Sequence, residues 1–113
     1  HSYYIKGDTM KKTILLDPSL LPNVIEQHYQ CIDLRNRLSF EKDHIPTFTN
    51  IPIEEFQSYK PYLSKEIPMI LLCYTGQQSY DLALDLRKEG YQSYSIRGGY
   101  YRLMQKKDNS DLF

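Results

Sequence analysis

The hydrophobic positions of this chain change period several times, and each change marks an element. Residues 13–16 form a short apolar run broken by Asp17-Pro18, which reads as a strand. Over 20–29, Leu20, Leu21, Val24, Ile25 and His28 recur at helical spacing. The run 30–34, bounded by polar residues, suits a buried strand. Residues 35–44 are polar and read as a loop with a helical turn. Two prolines and several β-branched residues make 45–52 a loop or brief strand. Ile53, Phe56, Tyr59 and Leu63 predict a helix over 53–63 that Pro61 ends or kinks. Met69 to Leu72 is the clearest strand. Residues 76–89 are the clearest helix, with Leu82, Ala83 and Leu86 on one face and Gly90 as its stop. A strand over 91–96, a turn at Gly98-Gly99 and a short helix over 100–106 follow, then a polar tail from Asn109.

Strands separated by helical segments imply an α/β fold, a mostly parallel central sheet with helices on both faces. Ligands of such sheets sit beyond the carboxyl ends of the strands. Two segments place polar chemistry there. One is Asp33-Leu34-Arg35. The other is Cys73-Tyr74-Thr75-Gly76-Gln77-Gln78-Ser79.

Composition narrows the picture further. The 113 residues fit one domain, expected over residues 10–108. Residues 1–9 read as a tag or disordered leader, since Met10-Lys11-Lys12 makes a native start, and 109–113 as a tail. Lys+Arg and Asp+Glu are 14 each, so no positive field favours nucleic acid or a membrane surface. No apolar run is long enough to span a bilayer. Cys31 and Cys73 lie far apart, with no ligand spacing for zinc and no disulfide density, so neither a zinc site nor a disulfide scaffold is expected and a reducing cytoplasm is the default.

The Cys73 segment carries the chemistry. A strand ends in cysteine, glycine follows in a tight loop, and a helix begins at once. A helix N-terminus presents unpaired N–H groups and partial positive charge, and consecutive loop N–H groups make an anion nest. A cysteine aimed there is expected to ionise more readily than a free thiol. The same position also suits a small buried hydrophobe, and spacing alone leaves both readings open.

Four segments in order resemble a single-domain rhodanese, across residues 13–106. Cys31-Ile32-Asp33-Leu34-Arg35 is similar to the family's strand ending Asp-x-Arg. Phe40 to Pro46, followed by Asn50-Ile51-Pro52, resembles its His-Ile-Pro-Gly-Ala-x-Asn-Ile-Pro stretch, with Thr47-Phe48 for Gly-Ala and Asp43 for the glycine before histidine. The Cys73 to Ser79 segment resembles the active loop Cys-x-x-Gly-x-Arg-Ser. Gly90-Tyr91 and Ile96-x-Gly98-Gly99 resemble the closing strand and turn; Leu103 stands where many relatives have tryptophan.

The resemblance implies a sulfurtransferase or persulfide carrier. Cys73 would take sulfur from a donor and pass it to a thiol or cyanide, within sulfur metabolism and without a cofactor. Tyr74, Thr75, Gly76, Gln77, Gln78 and Ser79 would bind the substrate. Relatives that act on phosphate or arsenate have a loop one residue longer that ends in arginine, and Ser79 stands at that place. Gln78 replaces the expected arginine, which points to an organic or protein persulfide over thiosulfate. Asp33 and Arg35 are expected to support the loops as an ion pair rather than act in catalysis. His44 is expected to be a hydrogen-bonded turn histidine, with general base as the other reading. Arg97 is a candidate for the missing charge. The partners expected are a small sulfur-containing donor, a thiol acceptor and a partner protein, with the chain itself a monomer or weak dimer. The alternative is a non-catalytic rhodanese-like module for protein binding or regulation.

Overall fold

The computed structural model describes residues 14–110, so the expected leader over residues 1–9 lies outside the described residues. Strand β1 is Leu15–Leu16, followed by a 3-10 turn over Pro18–Leu20. Helix α1 spans only Leu21–Glu26, shorter than the spacing predicts. The reason is His28, whose φ of 60° lies in the left-handed region and cannot continue a right-handed helix. Strand β2 is Gln30–Asp33. Helix α2, Arg37–Lys42, is capped by Asn36, whose side-chain oxygen accepts the Ser39 N–H at 2.8 Å. Strand β3 is Thr49–Asn50.

The 53–63 segment is helical but broken. A 3-10 turn over Ile53–Glu55 leads into helix α3, Phe56–Tyr59, and a second 3-10 turn covers Lys60–Tyr62. Pro61 has no N–H for an α-helical bond, and its ring crowds the preceding turn. Strand β4 is Met69–Leu72, helix α4 is Gln77–Lys88 and strand β5 is Ser93–Ile96. Helix α5 runs Gly99–Ser110, past Asn109 where the tail is expected to begin. No Gly or Pro follows Gly99, so nothing in the sequence stops it earlier.

Helix α4 ends as its glycine predicts. Gly90, at φ 99°, donates to the Arg87 carbonyl at 3.1 Å, and the Tyr91 N–H reaches back to Leu86 at 3.0 Å. Those two bonds are the Schellman pair, and Leu86 and Tyr91 share one core.

The sheet order is β1-β5-β4-β2-β3, with every pairing parallel. Side chains alternate across it with period two. Ile32, Met69, Leu71 and Cys73 pack on one face with Ala83 and Leu86 of α4 and Phe56 of α3. Cys31, Ile70 and Leu72 pack on the other with Leu21 and Val24 of α1 and Leu103 of α5. Burial on both faces explains why β4 reads as a continuous apolar run rather than an alternating one. Because all strands run the same way, Asp33, Cys73 and Gly98 follow or end three neighbouring strands at one edge of the sheet.

Candidate active site

Cys73 leaves β4 1% exposed, and the chain then wraps around its sulfur. The Gly76 N–H points at Sγ from 3.1 Å and the Ser79 N–H from 3.3 Å. The thiol in turn donates to Ser79 Oγ at 3.2 Å. Two main-chain donors and one hydroxyl thus converge on one atom, beside the first turn of α4. Any negative charge on that sulfur meets the two main-chain dipoles, which need no reorganisation.

The carbonyls face the other way because α5 holds them. The Tyr100 N–H donates to the Cys73 carbonyl at 2.8 Å, and the Tyr101 N–H to the Tyr74 carbonyl at 3.1 Å. This close approach requires Gly99. A Cβ there would stand 2.6 Å from both carbonyl oxygens and 2.7 Å from the Gly76 nitrogen, and φ is 64°. Gly76, at φ 97°, packs against the same turn; its Cβ would come within 3.0 Å of the Gly98 nitrogen. Thr75, Gln77 and Gln78 mark the solvent side of the loop.

Asp33 and Arg35 form the expected ion pair. Arg35 Nη2 lies 2.9 Å from Asp33 Oδ2, and both groups are buried. Its Nε and its own backbone N–H also bind the carboxylate, and Nη2 reaches the Asp43 carbonyl at 2.8 Å. The guanidinium lies 3.6 Å over the Tyr100 ring, whose hydroxyl donates to Asp43 Oδ2 at 2.8 Å. Burial, then the hydrogen bond to Asp43 and its charge, push the Tyr100 phenol up to about 12, against the opposing pull of Arg35. Asn50 adds two bonds, to the carbonyls of Asp33 and Arg35.

The family model for the rhodanese-like domain matches residues 18–106. The chain belongs to the rhodanese-like domain family. It is 32% identical over 69 residues to a protein named thiosulfate sulfurtransferase GlpE from Coxiella burnetii, covering 60% of this chain and 64% of that one. It is 34% identical over 71 residues to a tRNA sulfurtransferase from Desulfurococcus amylolyticus, covering 63% of this chain but 14% of that larger protein. Among solved structures, a rhodanese homolog from Thermus thermophilus superposes with a TM-score of 0.63 at 30% identity, over 77% of this chain and 97% of that one. A rhodanese-related protein from Thermoplasma volcanium gives 0.72 at 21% identity, over 80% and 90%. The rhodanese-like domain here thus spans just under two thirds of the thiosulfate sulfurtransferase it matches.

Within this rhodanese-like domain the remaining expected residues fall into different places. His44 is exposed, stacked on Phe40 at 3.8 Å, with Nδ1 donating to the Phe40 carbonyl at 2.7 Å. Its bond serves the turn. Arg97 is exposed, and its backbone N–H holds β1 through the Leu16 carbonyl at 2.9 Å. Gln77 binds the Asp81 carboxylate at 3.1 Å. Tyr74 crosses to α2, its hydroxyl 2.8 Å from Ser39 Oγ. Beside it lies a depression of about 320 Å³ whose lining includes Arg35, Lys42, Tyr74 and Tyr101.

Sequence reasoning missed Lys42 and Ser95. Lys42 lies within the Phe40 to Pro46 stretch, at a position that the resemblance there does not single out. Ser95 is fully buried, 2.7 Å from Ser79 Oγ. The sequence around it, Gln92-Ser93-Tyr94-Ser95-Ile96, carries no signal that singles it out.

Gly99→Ala is expected to lower stability by about 2–4 kcal/mol, from left-handed strain and steric overlap together. Thermal unfolding checks the loss, and an unchanged midpoint contradicts the packing described. The two cysteines give a second prediction. Burial pushes the Cys31 thiol up from 9.0 to about 11, so that part of the stability is intact below pH 9 and lost as pH rises through about 11. Cys31 should resist alkylation at neutral pH while Cys73 reacts. Peptide mapping reads both rates, and equal rates would refute the assignment of Cys73.

Proposed function

We propose that this domain transfers sulfane sulfur through a persulfide on Cys73. The observation that carries the reading is the convergence of the Gly76 and Ser79 N–H groups on Sγ. The anionic sulfur attacks the outer sulfur of a donor, and a new S–S bond forms. The donor's S–S bond breaks, and its electron pair leaves on the remainder, a thiolate from an organic persulfide or sulfite from thiosulfate. An acceptor thiolate or cyanide then takes the outer sulfur and returns the electron pair to Cys73. The names of the relatives, sulfurtransferases of several kinds, support the same class of reaction.

The donor we favour is an organic or protein persulfide. The loop from Cys73 to Ser79 contains no Lys or Arg. Gln78 is exposed and neutral, and Arg35 is committed to Asp33. A dianion such as thiosulfate therefore meets main-chain dipoles but no guanidinium fork within the loop. Both cysteines are free, and a nucleophile kept as a thiol suits a reducing, cytoplasmic setting. No helix among the described residues is long and apolar enough to cross a membrane.

Mass spectrometry after incubation with sulfane donors should show one added sulfur on Cys73, and none on Cys73→Ser, which keeps its fold and loses transfer. Wild-type protein that gains no sulfur from any donor would favour the binding-module reading. The second expectation concerns charge. Gln78→Arg should raise kcat/KM with thiosulfate by roughly 10-fold, the low end of the ~1.5–3 kcal/mol of a charged hydrogen bond because the position is exposed. A neutral organic persulfide should gain far less. Equal gains with both donors would overturn the electrostatic explanation.

A further inference from the structure

Below the sulfur lies a pair of buried hydroxyls with more acceptors than protons. Ser79 Oγ is 3.2 Å from Cys73 Sγ, 2.7 Å from Ser95 Oγ and 3.3 Å from the Gly76 carbonyl. Ser95 Oγ is 3.4 Å from that same carbonyl. Both serines are fully buried, so bulk water supplies no other partner. Each hydroxyl has one proton to give and two lone pairs to fill. Ser93, on the same strand and equally buried, differs: its proton is committed to the Ala83 carbonyl at 2.7 Å.

The geometry points to Ser95 as a positioning residue that acts on Cys73 through Ser79. When Cys73 is a thiol, its S–H fills a lone pair of Ser79 Oγ. The Ser79 proton then goes to Gly76 or Ser95. When sulfur release leaves the electron pair on Sγ, Ser79 must turn and donate to that atom. Its oxygen is then free to accept, and the 2.7 Å contact lets Ser95 donate into it. A hydroxyl that accepts one hydrogen bond donates a stronger one. No proton leaves the pair; two O–H bonds rotate as the charge on Cys73 comes and goes. Ser95 thus keeps Ser79 polarised toward the sulfur during release.

This inference rests on Cys73 being the sulfur carrier, so its test avoids the transfer reaction. Iodoacetamide labelling of Cys73 at neutral pH, followed by peptide mapping, reports the nucleophile alone. Ser95→Ala should slow labelling by about 3- to 10-fold, the worth of one hydrogen bond. Ser79→Ala should slow it at least as much, and the double variant no further than Ser79→Ala, because Ser95 works only through Ser79. Cys31 is the internal control. A loosened fold speeds Cys31 labelling, whereas loss of positioning slows Cys73 and leaves Cys31 unchanged. An unchanged Cys73 rate in Ser95→Ala, or losses that add in the double variant, overturns the proposal. Failure of sulfur loading in the wild type would instead sink the transfer reading.

Discussion

Two main-chain hydrogen bonds decide what the cysteine loop can do. The N–H groups of Tyr100 and Tyr101 hold the carbonyls of Cys73 and Tyr74. A peptide plane carries its carbonyl and the next residue's N–H on opposite sides, so these bonds turn the Tyr74 and Thr75 N–H groups away from α5 and fix the chain's course just before Gly76. Helix α5 thus anchors the start of the loop, whose own Gly76 and Ser79 N–H groups reach the sulfur. The glycine pair is what lets the helix come close enough.

The Arg35 cluster fixes where α5 sits. Burying a guanidinium and a carboxylate costs several kcal/mol per ion, and their attraction offsets this only when every hydrogen bond is made. Here both Asp33 oxygens accept from Arg35, and the guanidinium stacks on Tyr100, which also gives its N–H to Cys73. One residue thus joins the buried charges to the Cys73 loop. A shift of α5 breaks the stacking of Tyr100 on Arg35 and the Tyr100–Asp43 hydrogen bond, while the Asp33–Arg35 pair itself stays intact. The apolar faces of the sheet, by contrast, tolerate small displacements.

Much of this was legible in the chain. The β4–loop–α4 unit has a continuous apolar run, a glycine at the bend and a glycine at the stop, and each has a local physical meaning. The ion pair was legible because Asp33 and Arg35 follow a buried strand. Helix ends were harder. His28 ends α1 through a backbone angle that its side chain does not announce. Thr47, in the place where the family has glycine, adopts φ 78°, a strain that a β-branched residue rarely carries. Ser95 was invisible because a serine in a strand acquires its role only from what tertiary packing sets beside it. Lys42 likewise lines the depression beside Tyr74 only because α2 folds over it.

The period-two alternation of the sheet has one more consequence. Cys31 packs among Leu21, Ile70 and Leu103, and Cys73 among Ile14, Leu71 and Ala83, on opposite faces. The sheet stands between the chain's two thiols. On the proposed transfer reading, Cys31 therefore cannot resolve a persulfide on Cys73 by forming a disulfide with it. The acceptor on that reading is a thiol other than Cys31, and the lifetime of the loaded state follows that thiol's concentration and approach.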